Sequence, residues 1–113
     1  MPRNNETPRQ RSPQEFNISY GLASVNVTSG LTIVTTTGGY YHGMTIIASA
    51  TRTFVYVYDN ASATSGNRLD LFAVASSGDV WIDKYIPVVA KNGITVGITG
   101  TGALGTIYYS PKG

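Results

Sequence analysis

The sequence predicts an all-β protein: a single β-sandwich of the jelly-roll or immunoglobulin-like kind, of about eight strands, behind an extended N-terminal arm. Three observations predict it. From Ile18 onward, short runs rich in β-branched and aromatic residues alternate with turn chemistry. No window of about 11 or more residues shows the three-to-four spacing of an amphipathic helix. Composition changes sharply near Phe16, where a polar, proline-rich leader gives way to these runs.

The leader comes first. MPRNNETPRQRSPQE holds three of the five prolines, three arginines and no apolar residue beyond Met1. Such a segment cannot bury enough surface to offset its ordering entropy, so residues 1–17 are expected to form an arm that is disordered when alone. Its functional expectation is contact with a neighbouring subunit. Arg3, Arg9 and Arg11 can meet carboxylates or backbone carbonyls, and Phe16 is the arm's apolar contact. Fully extended, about 17 residues span about 50 Å.

Residues 18–113 are the sandwich body. Its expected strands are 20–28, 31–36, 41–48, 53–58, 68–75, 80–85, 88–90 paired with 94–99, and 106–109. Their separators are Ser29-Gly30, Gly38-Gly39, the loop DNASATSGN, SGD at 77–79 and Asn92-Gly93. Asn-Gly tolerates the positive φ of a tight turn, which predicts a hairpin between 88–90 and 94–99. In TFVYVYD, Val55 and Val57 point one way and Phe54, Tyr56 and Tyr58 the other, so both faces are expected to be covered. Phe54 and Tyr56 are therefore candidate partner contacts. In DVWIDKY, Val80 and Ile82 share one face while Asp79, Trp81, Asp83 and Tyr85 share the other. A lone tryptophan in a sandwich is ordinarily a core anchor, but this one keeps acidic and tyrosyl company. Trp81 and Tyr85 join the candidate contacts, in a chain whose eight tyrosines suit interfaces.

Composition narrows the function classes. The 113 residues make one domain, large enough to bury roughly 65% of its unfolded surface. With no cysteine there is neither a disulfide framework nor a thiolate metal site. Eight Lys or Arg against six Asp or Glu leave a formal charge of +2, too small and dispersed for a nucleic-acid partner. Charged residues make up only 12% of the chain, about half the usual share, which suits contact with other protein. No apolar run approaches the roughly 18 residues of a membrane span, and no export signal is legible, so a soluble chain without membrane partners is expected.

Motifs that could carry chemistry fail on context. GTGALG, Gly100 to Gly105, matches the GxGxxG pattern of dinucleotide sites, which requires a following helix and an acidic residue about 20 positions on. Only TIYYSPKG follows, so a glycine-rich turn into a last strand is expected. His42 is the only histidine, and no GxSxG elbow accompanies it. Asp79 and Asp83 lie four residues apart on one strand, about 13 Å, too far to share a proton. The loop after Asp59 offers one carboxylate, too few for a firm calcium site. The chain is therefore expected to be no enzyme and to use no cofactor or metal.

The runs YHGMTIIASATRTFVYVYDNASATSGNRLDLF and YIPVVAKNGITVGITGTGALGTIYY resemble small β-sandwich structural proteins of tailed bacteriophages. The matching signatures are Tyr58-Asp59-Asn60 with Gly66, then Asn92-Gly93-Ile94 with Gly100 to Ala103, across roughly residues 41–109. The resemblance implies a virion role of the head decoration, cement or head-fibre type, on the capsid surface. It implies the major capsid protein or neighbouring virion subunits as partners, with a homo-oligomer expected. It assigns no active-site residues, and the arm is not part of the pattern. Two other roles remain open: a module binding carbohydrate or a host surface through its sandwich loops or through Trp81 and Tyr85, and a tail or neck component of the same virion.

Overall fold

The computed structural model describes residues 22–111, and every regular element among them is a β-strand. In chain order these are β1 (Ala23–Thr28), β2 (Gly30–Thr35), β3 (Gly39–Ile47), β4 (Thr53–Asp59), β5 (Asn67–Val74), β6 (Asp79–Ala90), β7 (Ile94–Thr99) and β8 (Leu104–Pro111). They form two four-stranded antiparallel sheets. Sheet 1 has the order β1-β8-β3-β6 and sheet 2 the order β2-β7-β4-β5. The ladders β1 with β8, β2 with β7, β3 with β6 and β4 with β5 are all present. The chain thus follows the path of one long hairpin, folded at the β4–β5 loop and rolled so that successive pairs fall in alternate sheets. That is the jelly-roll alternative of the expected sandwich.

Only the β4–β5 connection stays within a sheet; the other six cross the sandwich. This corrects the hairpin expected at Asn92-Gly93. Residues 88–90 continue β6 and pair with Gly39, Tyr40 and Tyr41 of β3, while β7 pairs with β2 and β4 in the other sheet. The two residues do make a tight link, but a turn fixes local backbone direction, and the buried faces of the flanking strands decide what each one pairs with. A buried carboxylate holds the link: Asp59 accepts the N–H groups of Lys91 at 2.9 Å and Asn92 at 2.7 Å.

Alternation builds the core. The inward row Val25, Ile107, Met44 and Ile82 crosses sheet 1 in register, and Val55 with Ile98 and Val57 with Val96 face it from sheet 2. Met44, Val55, Val57, Val96 and Ile107 have no exposed surface. Each such side chain contributes about 2 kcal/mol by leaving water. Tyr41, also fully buried, carries a polar atom inward and donates its hydroxyl to Asp70 Oδ2 on β5 at 2.8 Å, joining the sheets.

The GTGALG segment links β7 to β8, with no helix behind it. Gly100 has φ +138°, and a Cβ there would lie 2.4 Å from Thr53 Oγ1. Its carbonyl accepts the Ser29 hydroxyl and the Ala103 N–H. Gly100 allows close approach to Thr53 of β4 and Gly105 to the Thr45 carbonyl of β3, and the segment turns from β7 into β8.

Candidate interaction surface

The strand with the most exposed apolar surface is β6, at the edge of sheet 1. Trp81 is 74% exposed, Tyr85 96% and Ile86 78%. A bulge produces this. Gly43 of β3 pairs with Asp83 and Tyr41 with Val88, so the single residue His42 on β3 opposes four on β6, 84–87. The surplus backbone has no partner on β3 and leaves the ladder as a knuckle. Within β6 the exposed-inward alternation through Asp79, Trp81 and Asp83 breaks at Ile86, which is exposed directly after Tyr85.

Two features hold the knuckle. Gly43 has φ +136°, and a Cβ on it would sit 2.0 Å from the Ile82 carbonyl oxygen, so only glycine lets β3 pass this close to β6. Lys84, at the base, lies 3.5 Å from Asp70 Oδ2, the carboxylate oxygen that also accepts the Tyr41 hydroxyl. Burial, then the charge of Asp70 and the hydrogen bond to it, push the Tyr41 hydroxyl far above the ordinary tyrosine range, so it stays a neutral donor. The bridge therefore carries one anion and one cation.

The outer face of sheet 1 inward of this edge is a shallow trough. The row Asn26, Thr106, Thr45 and Trp81 crosses it in register. Larger side chains stand on both sides, Leu104 and Ile47 toward one end and Tyr108 with His42 toward the other. One depression of about 340 Å³ is lined by Leu22, His42, Thr45, Trp81, Asp83 and Tyr108, among others. Another of about 440 Å³ lies on the opposite side of Thr45. His42 Nε2 is 2.9 Å from the Ser110 hydroxyl. Partial burial lowers the imidazole's pKa and the Asp83 carboxylate partly offsets this, so the ring is neutral near pH 7.

The candidates from sequence fall into separate groups. Trp81 and Tyr85 share the β6 edge; Trp81 is thus a surface residue here, as its acidic neighbours imply. Phe54 and Tyr56 lie on the opposite side of the molecule, on the outer face of sheet 2, with Phe54 39% exposed. Within this chain alone, the two sides of β4 are covered unequally. Its inner side is sealed by Val55 and Val57, but its outer side is covered in part only, by the chain's own β4–β5 loop. Asn60 shapes that loop by accepting the N–H groups of Ser62 and Ala63, and Thr64 lies over Gly97 in the row beside Tyr56. Arg52 stacks 5.1 Å from the Phe54 ring centroid. Arg3, Arg9, Arg11 and Phe16 lie outside the described residues.

Ile86, Tyr108, His42 and Gly43 were not singled out as contacts from sequence. The only signal for the knuckle was Pro87, an unfavourable residue inside a paired strand. Among the described residues there is no group of three or more His, Cys, Asp or Glu placed to hold a metal. No helix among them is long and apolar enough to cross a membrane.

The surface thus defined belongs to a jelly-roll domain with an apolar edge knuckle beside a polar, aromatic-walled trough. No known protein family and no curated protein matches the chain.

Proposed function

We propose that the protein is a non-enzymatic structural subunit of a phage virion, a decoration or cement protein on the capsid surface that binds the major capsid protein and further copies of itself. The observation that carries this reading is the Tyr85-Ile86 knuckle: two large apolar side chains, 96% and 78% exposed, on a strand edge braced from beneath by Lys84 and Asp70. A monomer gains nothing by bracing greasy side chains in water, whereas a preorganised anchor loses little entropy when it enters a partner's pocket.

Further features support a particle as the partner. The motif resemblance to phage virion proteins spans most of the described body. Few charges and many tyrosines suit a surface that meets protein. A knuckle of two side chains is too small for tight one-to-one binding, but a repeating shell multiplies weak contacts into durable attachment.

The test is occupancy. Purified chain is added to particles that lack it, and bound copies are counted after sedimentation. The double variant Tyr85→Ser, Ile86→Ser is expected to bind at least roughly tenfold more weakly, as for loss of a central anchor. Its unfolding curve should match the parent's, since both side chains are already in water. Equal occupancy by the variant would remove the knuckle from the mechanism. Labelling the chain in intact particles separates a head position from a tail or neck one.

A further inference from the structure

We infer that the trough on the outer face of sheet 1, floored by Thr45 and lined by Trp81 and Tyr108, binds the pyranose ring of a neutral saccharide. This goes beyond the attachment reading and does not depend on it, because neither Tyr85 nor Ile86 lines the trough's two depressions.

The lining chemistry selects the ligand class. Trp81 and Tyr108 supply aromatic surface, which favours a ligand with an apolar C–H face. Asp83 and the neutral His42 supply an acceptor-only carboxylate and a ring nitrogen, and Thr45 adds a hydroxyl, so the ligand must also offer hydroxyl donors and acceptors. A purely aliphatic ligand would strip water from Asp83 without replacing its hydrogen bonds, at a cost. An anionic ligand would meet that carboxylate with no Lys or Arg among the described lining residues to offset it. A neutral ring with one C–H face and a rim of hydroxyls meets every condition.

Size and continuity agree. About 340 Å³ is at the small end of ligand sites, the scale of a single ring rather than a buried chain. The neighbouring depression shares Thr45 and is lined by Asn26, Thr28 and Thr106, all hydrogen-bonding side chains, beside apolar Leu104 and Ile47. A saccharide seated at Trp81 can therefore extend across Thr45 onto a second patch of the same mixed character.

Trp81 is the chain's only tryptophan, so every indole signal comes from this one lining residue of the trough. The full chain is titrated with the methyl β-pyranosides of glucose, galactose and N-acetylglucosamine, read by indole fluorescence and by the indole N–H resonance. At least one of the three is expected to give a saturable change with Kd in the millimolar range, about −4 kcal/mol. Asp83→Asn, a substitution at an exposed carboxylate that keeps the reporter, is expected to weaken that binding at least roughly fivefold. Trp81→Ala, followed by saturation transfer from protein to sugar, is expected to abolish it. The double knuckle variant should bind as the parent does. No saturable response to any of the three up to roughly 100 mM, far above a millimolar Kd, would overturn the inference. So would binding that survives Trp81→Ala.

Discussion

Asp59 gathers the N–H groups of Lys91 and Asn92 at 2.9 and 2.7 Å while only 7% exposed, and so ties the end of β4 to the β6–β7 crossing. Burial raises its pKa, but the backbone N–H groups of Lys91, Asn92 and Gly93 and the Asn92 side chain outweigh that, and the net shift is downward. The sign follows for stability. A carboxyl whose folded pKa is depressed contributes stability that is complete above the ordinary value of 3.8 and is lost as pH falls through the folded value. Asp59→Ala is expected to cost about 2 kcal/mol in urea unfolding near pH 7, because buried N–H groups lose a charged acceptor. The difference from the parent should shrink as pH falls below 3.8. An unchanged midpoint near pH 7 would show the link to be held by something else. In the sequence Asp59 is legible only as a lone acid opening a Ser-, Thr- and Asn-rich loop. Its true partners lie 32 and 33 residues away. Such a contact is set by the sandwich closing, and no local pattern announces it.

At the scale of the element, β6 shows where strand reading succeeds and where it stops. The alternation of Val80 and Ile82 against Asp79, Trp81 and Asp83 was legible and correct in its faces, because a half-buried strand imposes period two. The knuckle was not. From sequence, Tyr85 ends one strand and Val88 begins another; in the fold they are one strand with four residues pushed out of its ladder. What makes that possible is a glycine on the neighbouring strand, 40 or more residues earlier, and such coupling has no local signature. Gly43→Ala places a Cβ 2.0 Å from the Ile82 carbonyl oxygen at a φ that alanine avoids. It is expected to cost at least about 2 kcal/mol and to collapse the special register of the bulge. Thermal unfolding reads the first effect, and amide exchange at residues 84–87 the second. A variant as stable as the parent would mean that β3 and β6 can separate freely there.

For the whole molecule, the eight-strand sandwich was legible because strand count, turn spacing and absence of helical periodicity all agree. The choice between jelly-roll and immunoglobulin-like order was not, since it depends on which sheet each strand enters, and six of the seven connections cross. The completed molecule leaves large apolar side chains outside both sheets: Ile47, Trp81, Ile86 and Leu104 on or beside sheet 1, and Leu31, Phe54 and Leu71 on sheet 2. A solitary domain ordinarily keeps such residues scattered, and their presence on both faces fits a subunit packed among neighbours. Deleting residues 1–15 is expected to leave the unfolding free energy of the body within about 0.5 kcal/mol of the parent. The same deletion should lower the number of copies bound per particle. Undiminished occupancy would take the arm out of the attachment, and lost stability would make the arm part of the fold.

That neighbours complete this subunit at the β6 edge is tested most directly by a photo-crosslinking residue placed at Ile86 in the chain as it stands on assembled particles. Illumination is expected to join it covalently to the capsid subunit or to a second copy, in good yield, while the same group on the free chain in solution finds only water. A knuckle that reacts only with water on fully decorated particles would contradict the proposal at its centre.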